Sequence, residues 1–279
     1  MNERWRKLSE RQISEAEHLL QSRERWCMNA CSRFLNRDSQ KTHIWALSGR
    51  NGEISALLVH YGQTLLPVFS GRREVPPPHF LCGPLGTAPI HSLQGTKDDT
   101  VIMETAMEKI GLNAAQIIDY DVMCIDRAPS DYQSAGPADL IIRKAQAADM
   151  DALTELHAAY EQEEVLPAAS KFNAAVSRLN TQRIFTQEQM LVAELGGYLI
   201  GKINTNAAAF TRFQVGGVYV HPDYRRLGIG RRMAGEFAVN LVAQGRGISL
   251  FVKKSNPCAR RLYQRIGFAI SGDYRICYY

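Results

Sequence analysis

Apolar and polar positions along this chain fall into two recurring periods. In the C-terminal half, Leu140, Ile141 and Ile142 form a short apolar run that reads as a strand. Asp149 then precedes Met150, Leu153, Leu156 and Tyr160, an apolar stripe at helical spacing behind a capping residue. A second helix is predicted over about 171–185, and strands over 190–195, 198–204 and 213–220. Met233, Phe237 and Leu241 return to helical spacing, and Leu250-Phe251-Val252 reads as another strand. A helix opened by Asn256-Pro257 ends before Gly267-Phe268, and a final strand pair closes the chain.

The N-terminal pattern is less regular. Ser9 with Gln12 forms a capping-box signature, and helical periodicity runs on to about Leu35. Residues 44–47 and 54–59 alternate around Asn51-Gly52, a strong hairpin signal. Then come a strand over 65–69, a Cys82-Gly83-Pro84-Leu85-Gly86-Thr87 loop, a helix over 98–110 and a strand over 117–125. The polar, aperiodic stretch from Ala128-Pro129-Ser130-Asp131 to Gly136-Pro137 is the predicted linker, dividing residues 1–130 from 138–279.

The richest local signal is Arg225-Arg226-Leu227-Gly228-Ile229-Gly230, which follows an apolar strand and a His221-Pro222 turn and opens an amphipathic helix. The first turn of a helix carries unsatisfied backbone N–H groups and a positive dipole end, so it receives anions. Gly228 and Gly230 remove side chains where a ligand must touch the backbone, and Arg225, Arg226, Arg231 and Arg232 surround it. That combination predicts a polyphosphate site. A nucleotide-triphosphate loop is excluded because no Gly-x4-Gly-Lys-Ser/Thr run exists, and a dinucleotide fingerprint lacks its third glycine, since position 233 is Met233. Downstream, Asn256 and Tyr263 lie seven residues apart, about two helical turns, and so share a helix side. Asparagine before proline is also ordinary helix punctuation, and a tyrosine here also serves packing.

Taken together, these residues resemble the GNAT acetyltransferase superfamily. Its motif A is an Arg/Gln-x-x-Gly-x-Gly/Ala loop that cradles the diphosphate of acetyl-coenzyme A, and the resemblance covers about residues 139–279. It implies an α/β (α+β) GNAT fold, a mixed central sheet flanked by helices. The looser repeat of element order in residues 1–130 suggests a degenerate GNAT-like domain in tandem, without the glycine loop and so without a second coenzyme. The resemblance also implies roles. Val218, Tyr219 and Val220 would contact the acetyl and pantetheine arms by main chain; Arg225, Arg226, Leu227, Gly228, Ile229, Gly230 and Arg231 would hold the diphosphate; Asn256 would contact the coenzyme. Tyr263 would protonate the departing thiolate, and acetyl would pass directly from thioester to amine. Gly216-Gly217 stands where some family members carry a catalytic carboxylate, which moves the base elsewhere. Residues 149–164 hold six Asp/Glu and no Lys/Arg. An acidic mouth there would attract a cationic amine, and Glu164 or Glu161 is the expected base. His221, before proline in a turn, reads as structural.

Charge changes the picture in one respect. Residues 225–279 contain eleven Lys/Arg against two Asp/Glu, a surplus of nine positive charges in a chain of net +5, which suits an anionic coenzyme. Arg260, Arg261 and Arg265 lack interleaved aromatics, so nucleic acid is the weaker partner reading. The six cysteines show no Cys-x2-Cys pair with matching histidines, so no metal site is expected. No apolar run approaches the ~18 residues of a membrane span. A cytoplasmic location is expected, with a small-molecule amine or a protein amino group as acceptor. A homodimer stays open. Two other classes also remain: a non-catalytic acyl-CoA-binding sensor, and a tandem-domain aminoacyl transferase.

Overall fold

The computed structural model describes residues 4–37, 41–49, 53–71, 90–130, 132, 135–166 and 171–279. The Asn51-Gly52 turn, the 82–87 loop and parts of the predicted linker lie outside the described residues. Contacts divide the chain into two compact units, Met123–Ile270 and Met1–Val122 with Ser271–Tyr279. This departs from the 1–130 and 138–279 division expected from composition, because the last nine residues go with the first unit.

The first unit is built on strands β1 (Arg4–Lys7), β2 (Thr42–Ser48), β3 (Ile54–Tyr61), β4 (Thr64–Phe69) and β5 (Ser92–Thr96). Neighbours pair antiparallel from β1 to β4, and β4 pairs β5 in parallel. Helical periodicity over 9–35 is interrupted: the Ser9–Gln12 box caps a 3₁₀ turn, α1 covers Ile13–Arg23, and α2 covers Met28–Leu35. The chain bends at Arg25-Trp26, where Trp26 Nε1 donates 2.9 Å to the Ser271 carbonyl. Helix α3 (Lys97–Glu108), N-capped by Thr96, covers the β4–β5 face, and β6 (Gln116–Ile125) follows.

The second unit repeats that strand order. It contains β7 (Ile141–Lys144), α4 (Met150–Tyr160), α5 (Ala174–Gln187), β8 (Met190–Leu195), β9 (Tyr198–Ala208), β10 (Arg212–Val220), α6 (Ile229–Val242), β11 (Gly247–Lys253) and α7 (Pro257–Ile266). Strands β7 to β10 pair antiparallel and β11 runs parallel to β10. Alternation along β8 assigns the two faces. Met190 and Val192 pack with Leu153 and Ile184 under α4 and α5, while Leu191 and Ala193 join Met233, Phe237 and Leu241 under α6. Helix α6 packs so closely on the preceding segment that a Cβ on Gly235 would lie 2.3 Å from the Tyr132 ring.

The final strand pair expected from the sequence is one ten-residue strand, β12 (Ala269–Tyr278). From Tyr274 to Tyr278 it pairs antiparallel with β5 in the first unit.

Candidate active site

Pairing between β10 and β11 stops early. It runs from Arg212↔Gly247 to Val215↔Leu250, although β10 continues to Val220 and β11 to Lys253. Beyond Val215 the two parallel strands therefore diverge. On its other side β10 stays paired with β9, through a bulge between Gly216 and Tyr219 that contains Gly217 at φ 59°. The bulge shifts side-chain parity, so Phe213 and Val215 before it, and Val218 and Val220 after it, all face the α6 core. Tyr219 faces α4 instead, edge-on to Tyr160 at 6.5 Å.

Register also fixes where the main chain points. His221 N donates to Ile200 O at 2.8 Å, and Val220 lies opposite Gly201. Hydrogen-bonded pairs alternate along an antiparallel ladder, so Tyr219 N–H turns toward β9. By the same alternation the Val220 amide turns the opposite way, into the gap left by β11; Val218 lies in the bulge, and its N–H points away from β9 because the carbonyl of the same trans peptide, Gly217 O, accepts from Lys202 of β9 at 2.9 Å.

At the exit of β10, His221 caps a 3₁₀ turn over Pro222–Tyr224, accepting from Asp223 N at 3.4 Å. Its side chain is exposed, in keeping with a structural role. The motif loop follows. Arg226 takes a left-handed conformation at φ 67°, unusual for a residue with a side chain, and Gly228 sits at φ 86° as N-cap of α6. The first helical bond is Arg232 N to Gly228 O, 3.0 Å. Ile229, Gly230 and Arg231 therefore occupy the first turn, whose amides have no acceptor four residues back. Such a turn can receive an anion, and Gly230 is packed so that a Cβ there would lie 3.2 Å from Leu262 Cδ1.

Arg225 does not point freely at that cradle. Its guanidinium makes a bidentate pair with Glu163 at 2.8 and 2.7 Å, its Nε donates to Val220 O at 2.9 Å, and it stacks 5.3 Å from the Tyr219 ring centre. The hydrogen bonds from Arg225 hold the Glu163 carboxyl below its ordinary range. Glu163 belongs to a π-helical turn, Glu161–Val165, that continues α4. That wide turn fans three acids apart. Glu161 accepts from Asn180 at 3.1 Å and lies 3.2 Å from His157 Nε2. Glu164 meets Lys253 at 3.3 Å and accepts from Asn256 Nδ2 at 3.5 Å. The acidic mouth read from composition is thus largely neutralised, since Glu163 and Glu164 each face a cation.

Asn256 caps α7, accepting from Ala259 N at 3.0 Å, and Tyr263 on that helix is 7% exposed, edge-on to Phe268 at 5.7 Å. Burial, then the neighbouring Tyr160 and Glu164, push the Tyr263 hydroxyl well above its usual value, so it is protonated at neutral pH. Tyr263, Glu164 and Asn256 are therefore brought together, whereas Glu161 sits with His157.

Sequence reasoning missed a polar row on β9, buried at Lys202 and Asn204 and reaching the surface at Asn206. Lys202, Asn204 and Asn206 alternate on the α4 side, and Lys202 and Asn204 are fully buried. Lys202 Nζ donates to Gly217 O at 2.9 Å and Asn204 Oδ1 at 3.2 Å, and lies 4.8 Å from the Tyr160 ring centre. Asn204 Nδ2 donates to Asn206 Oδ1 at 2.9 Å. This row also explains Gly216-Gly217: a Cβ at either position would overlap the Asn206 or Asn204 amide. The signal was present, as Lys-x-Asn-x-Asn in an otherwise apolar strand.

A family profile described as acetyltransferase (GNAT) domain matches residues 186–270. These residues form a GNAT domain. The stretch contains β8 to β11, the Arg225–Gly230 loop, α6 and α7. A GCN5-related N-acetyltransferase from Sphaerobacter thermophilus superposes with a TM-score of 0.63 at 18% identity, covering 98% of this chain and 94% of that one. A tandem GNAT protein from the clavulanic acid biosynthesis pathway superposes at 0.62 with 14% identity, over 99% and 98%. At such identities the likeness is one of fold, and it spans both units: the chain has the tandem GNAT architecture. A GNAT-family protein from Novosphingobium aromaticivorans matches 59% of this chain at 19% identity and a TM-score of 0.44, and the match spans 65% of its own length, under two thirds. No curated protein matches the sequence. Among the described residues no helix is long and apolar enough to cross a membrane, and no cluster of metal-ligating side chains exists.

Proposed function

We propose that the GNAT domain transfers acetyl from acetyl-CoA directly to a primary amine of a small molecule or a protein. The observation that carries this reading is the divergence of β10 from β11 beyond Val215, followed in the chain by the glycine-capped N-terminus of α6. When bound, the coenzyme supplies an activated acyl carbonyl on a thiolate leaving group. The chain supplies the rest. Amides of the α6 first turn bind the diphosphate, with Arg225, Arg226 and Arg231 around it. The Val218 and Val220 amides donate to the carbonyl oxygen as it gains charge. As the amine nitrogen bonds to the carbonyl carbon and the carbon–sulfur bond breaks, Tyr263 gives its proton to the sulfur. The amine proton leaves to a carboxylate or to solvent. Glu164, beside Asn256 and close to Tyr263, and Glu161, beside His157, are the candidate bases, Glu163 being held by Arg225.

Two measurements test the reading. Thiol release from acetyl-CoA with a panel of primary amines is expected for the wild type, and Tyr263→Phe is expected to lower kcat about 100-fold while calorimetric CoA affinity holds. Coenzyme binding without turnover on any amine would instead make the chain an acyl-CoA-binding protein. Failure to bind acetyl-CoA, with aminoacyl-tRNA bound instead, would make it an aminoacyl transferase. Glu164→Gln and Glu161→Gln separate the candidate bases: only loss of the true base flattens the rising limb of kcat/KM with pH.

A further inference from the structure

The β9 lysine has a geometry that the reading above leaves unused. Lys202 is fully buried, and its Nζ donates 2.9 Å to the carbonyl of Gly217 inside the β10 bulge. That carbonyl belongs to the peptide linking Gly217 to Val218, and no peptide bond in the described chain is cis. In a trans peptide the C=O and N–H point in opposite directions. Lys202 therefore holds the back of the same peptide whose front, Val218 N–H, faces the gap between β10 and β11.

We propose that Lys202 is a positioning residue for acyl transfer: it pins the Gly217–Val218 peptide and polarises it, making Val218 N–H a stronger donor to the developing oxyanion. This rests on the acetyltransferase reading and adds the residue that tunes its oxyanion donor.

Three physical points support it. First, a carbonyl that accepts from an ammonium group draws electron density from its own peptide nitrogen, so the N–H of that peptide becomes more acidic and donates more strongly. Second, Gly217 is at φ 59° with nothing on its α-carbon, so its peptide plane is free to rotate unless something fixes it, and the Lys202 bond does. Third, the site is built to keep this one lysine. Asn204 Oδ1 takes a second Nζ proton at 3.2 Å and the Tyr160 ring lies 4.8 Å away. A side chain at Gly217 would lie 2.9 Å from Nζ. Burying an amine is costly unless it has a task and partners.

The groups around the amine set its charge. From α4 these are Tyr160 and the neutral His157, from the π turn Glu161, from β9 Asn204, and from β10 the Gly217 carbonyl. Burial lowers Lys202 to about 7, with Glu161 pulling the other way. The Lys202 charge in turn helps burial to lower His157.

The test compares wild type with Lys202→Met, a substitution of similar length that removes the donor. In protein labelled with 15N-valine, the Val218 amide proton, assigned through Val218→Ile, is expected to move upfield in Lys202→Met near pH ~6, where the wild-type amine is charged. Thiol release from acetyl-CoA with a responsive amine is expected to fall at least about tenfold in kcat, with CoA affinity by calorimetry unchanged. Lys202→Arg, which keeps a donor, is expected to recover part of the loss. An unmoved Val218 resonance in a folded Lys202→Met protein, or kcat within twofold of wild type, overturns the proposal. If wild type itself turns over no amine, the acetyltransferase reading is at fault and the Val218 resonance alone decides the role of Lys202. Should Lys202→Met fail to fold, Lys202→Leu carries the same comparison.

Discussion

Gly228 and Gly230 are both glycines of the same loop, yet the structure gives them different reasons. Gly228 needs a left-handed backbone, and a Cβ there would lie 2.8 Å from the Gly136 nitrogen. Alanine at such a φ costs about 1–2 kcal/mol before any overlap, so Gly228→Ala is expected to lower both the melting temperature and CoA affinity. Gly230 has ordinary helical geometry, and a Cβ there would sit 3.2 Å from Leu262 Cδ1. Gly230→Ala is therefore the control: its methyl would meet Leu262 rather than the loop, and the motif admits alanine there, so a melting temperature and a calorimetric CoA affinity near wild type are expected. Unchanged binding in Gly228→Ala would remove the diphosphate role from this loop. Lys202 gives a second prediction at this scale. Its amine is near 7 when folded and 10.5 in the unfolded chain. Between those values the unfolded state binds more protons, so this group makes stability rise with pH from about 7 to 10.5. His157, lowered from 6.5 to about 4 by burial, does the same in its own window. Urea midpoints of wild type should climb across the upper window, and Lys202→Met should flatten that climb and also shrink the lower one, because it removes a charge that helps lower His157.

Strands and helices explain why some of this could be read from sequence and some could not. The Arg225–Gly230 loop, the Asn256–Tyr263 helix and every strand from β7 to β11 carry local signatures: alternation, caps, glycine at a fixed offset. Three features have none. Strand β1, Arg4-Trp5-Arg6-Lys7, has one buried side chain among three cations, and β5 reads Ser-Leu-Gln-Gly-Thr; partner strands, rather than their own propensity, make them strands. The break between α1 and α2 falls within unbroken helical periodicity, because Trp26 is drawn to a carbonyl far along the chain. The fanning of Glu161, Glu163 and Glu164 needs a π turn, which spacing alone does not announce. Helix α6 offers an element-scale test. Gly235 lies at its centre against the buried Tyr132. Gly235→Ala gains helix propensity of roughly 1 kcal/mol, but its methyl would sit 2.3 Å from a ring carbon. Overpacking of that kind costs about 1–3 kcal/mol. A net loss of stability is expected, and Tyr132→Leu in the same background should restore part of it; simple stabilisation by Gly235→Ala would contradict the packing described.

At the level of the whole chain, the last nine residues are the least local feature. The β12 residues from Ser271 onward belong with the first unit, although about 150 residues separate them from its remainder. Their attachment there is extensive. Tyr274 and Cys277 are buried, and Cys277 packs with Leu58, Leu93 and Met103. The pairing with β5 runs from Tyr274↔Thr96 to Tyr278↔Ser92. Arg275 donates to Asp119 at 2.7 and 3.2 Å and to Glu104 at 3.0 Å. Those bonds and the Lys97 pair hold Asp119 down to about 2, so their support is full above its ordinary carboxyl range and is lost as pH falls toward 2. A strand's own alternation says that one face is buried, never which neighbour buries it, and so the sequence assigns β12 to the domain it follows. The consequence is specific. Deleting residues 271–279 takes an inner strand and two core side chains from the first unit while leaving every predicted coenzyme contact in place. Amide hydrogen exchange on the truncated chain should show lost protection in β5 and α3, with β9 to β11 still protected. CoA affinity should survive. If β9 to β11 lose protection while β5 and α3 keep it, the final strand supports the GNAT domain instead, and the division of the chain given by its contacts is wrong.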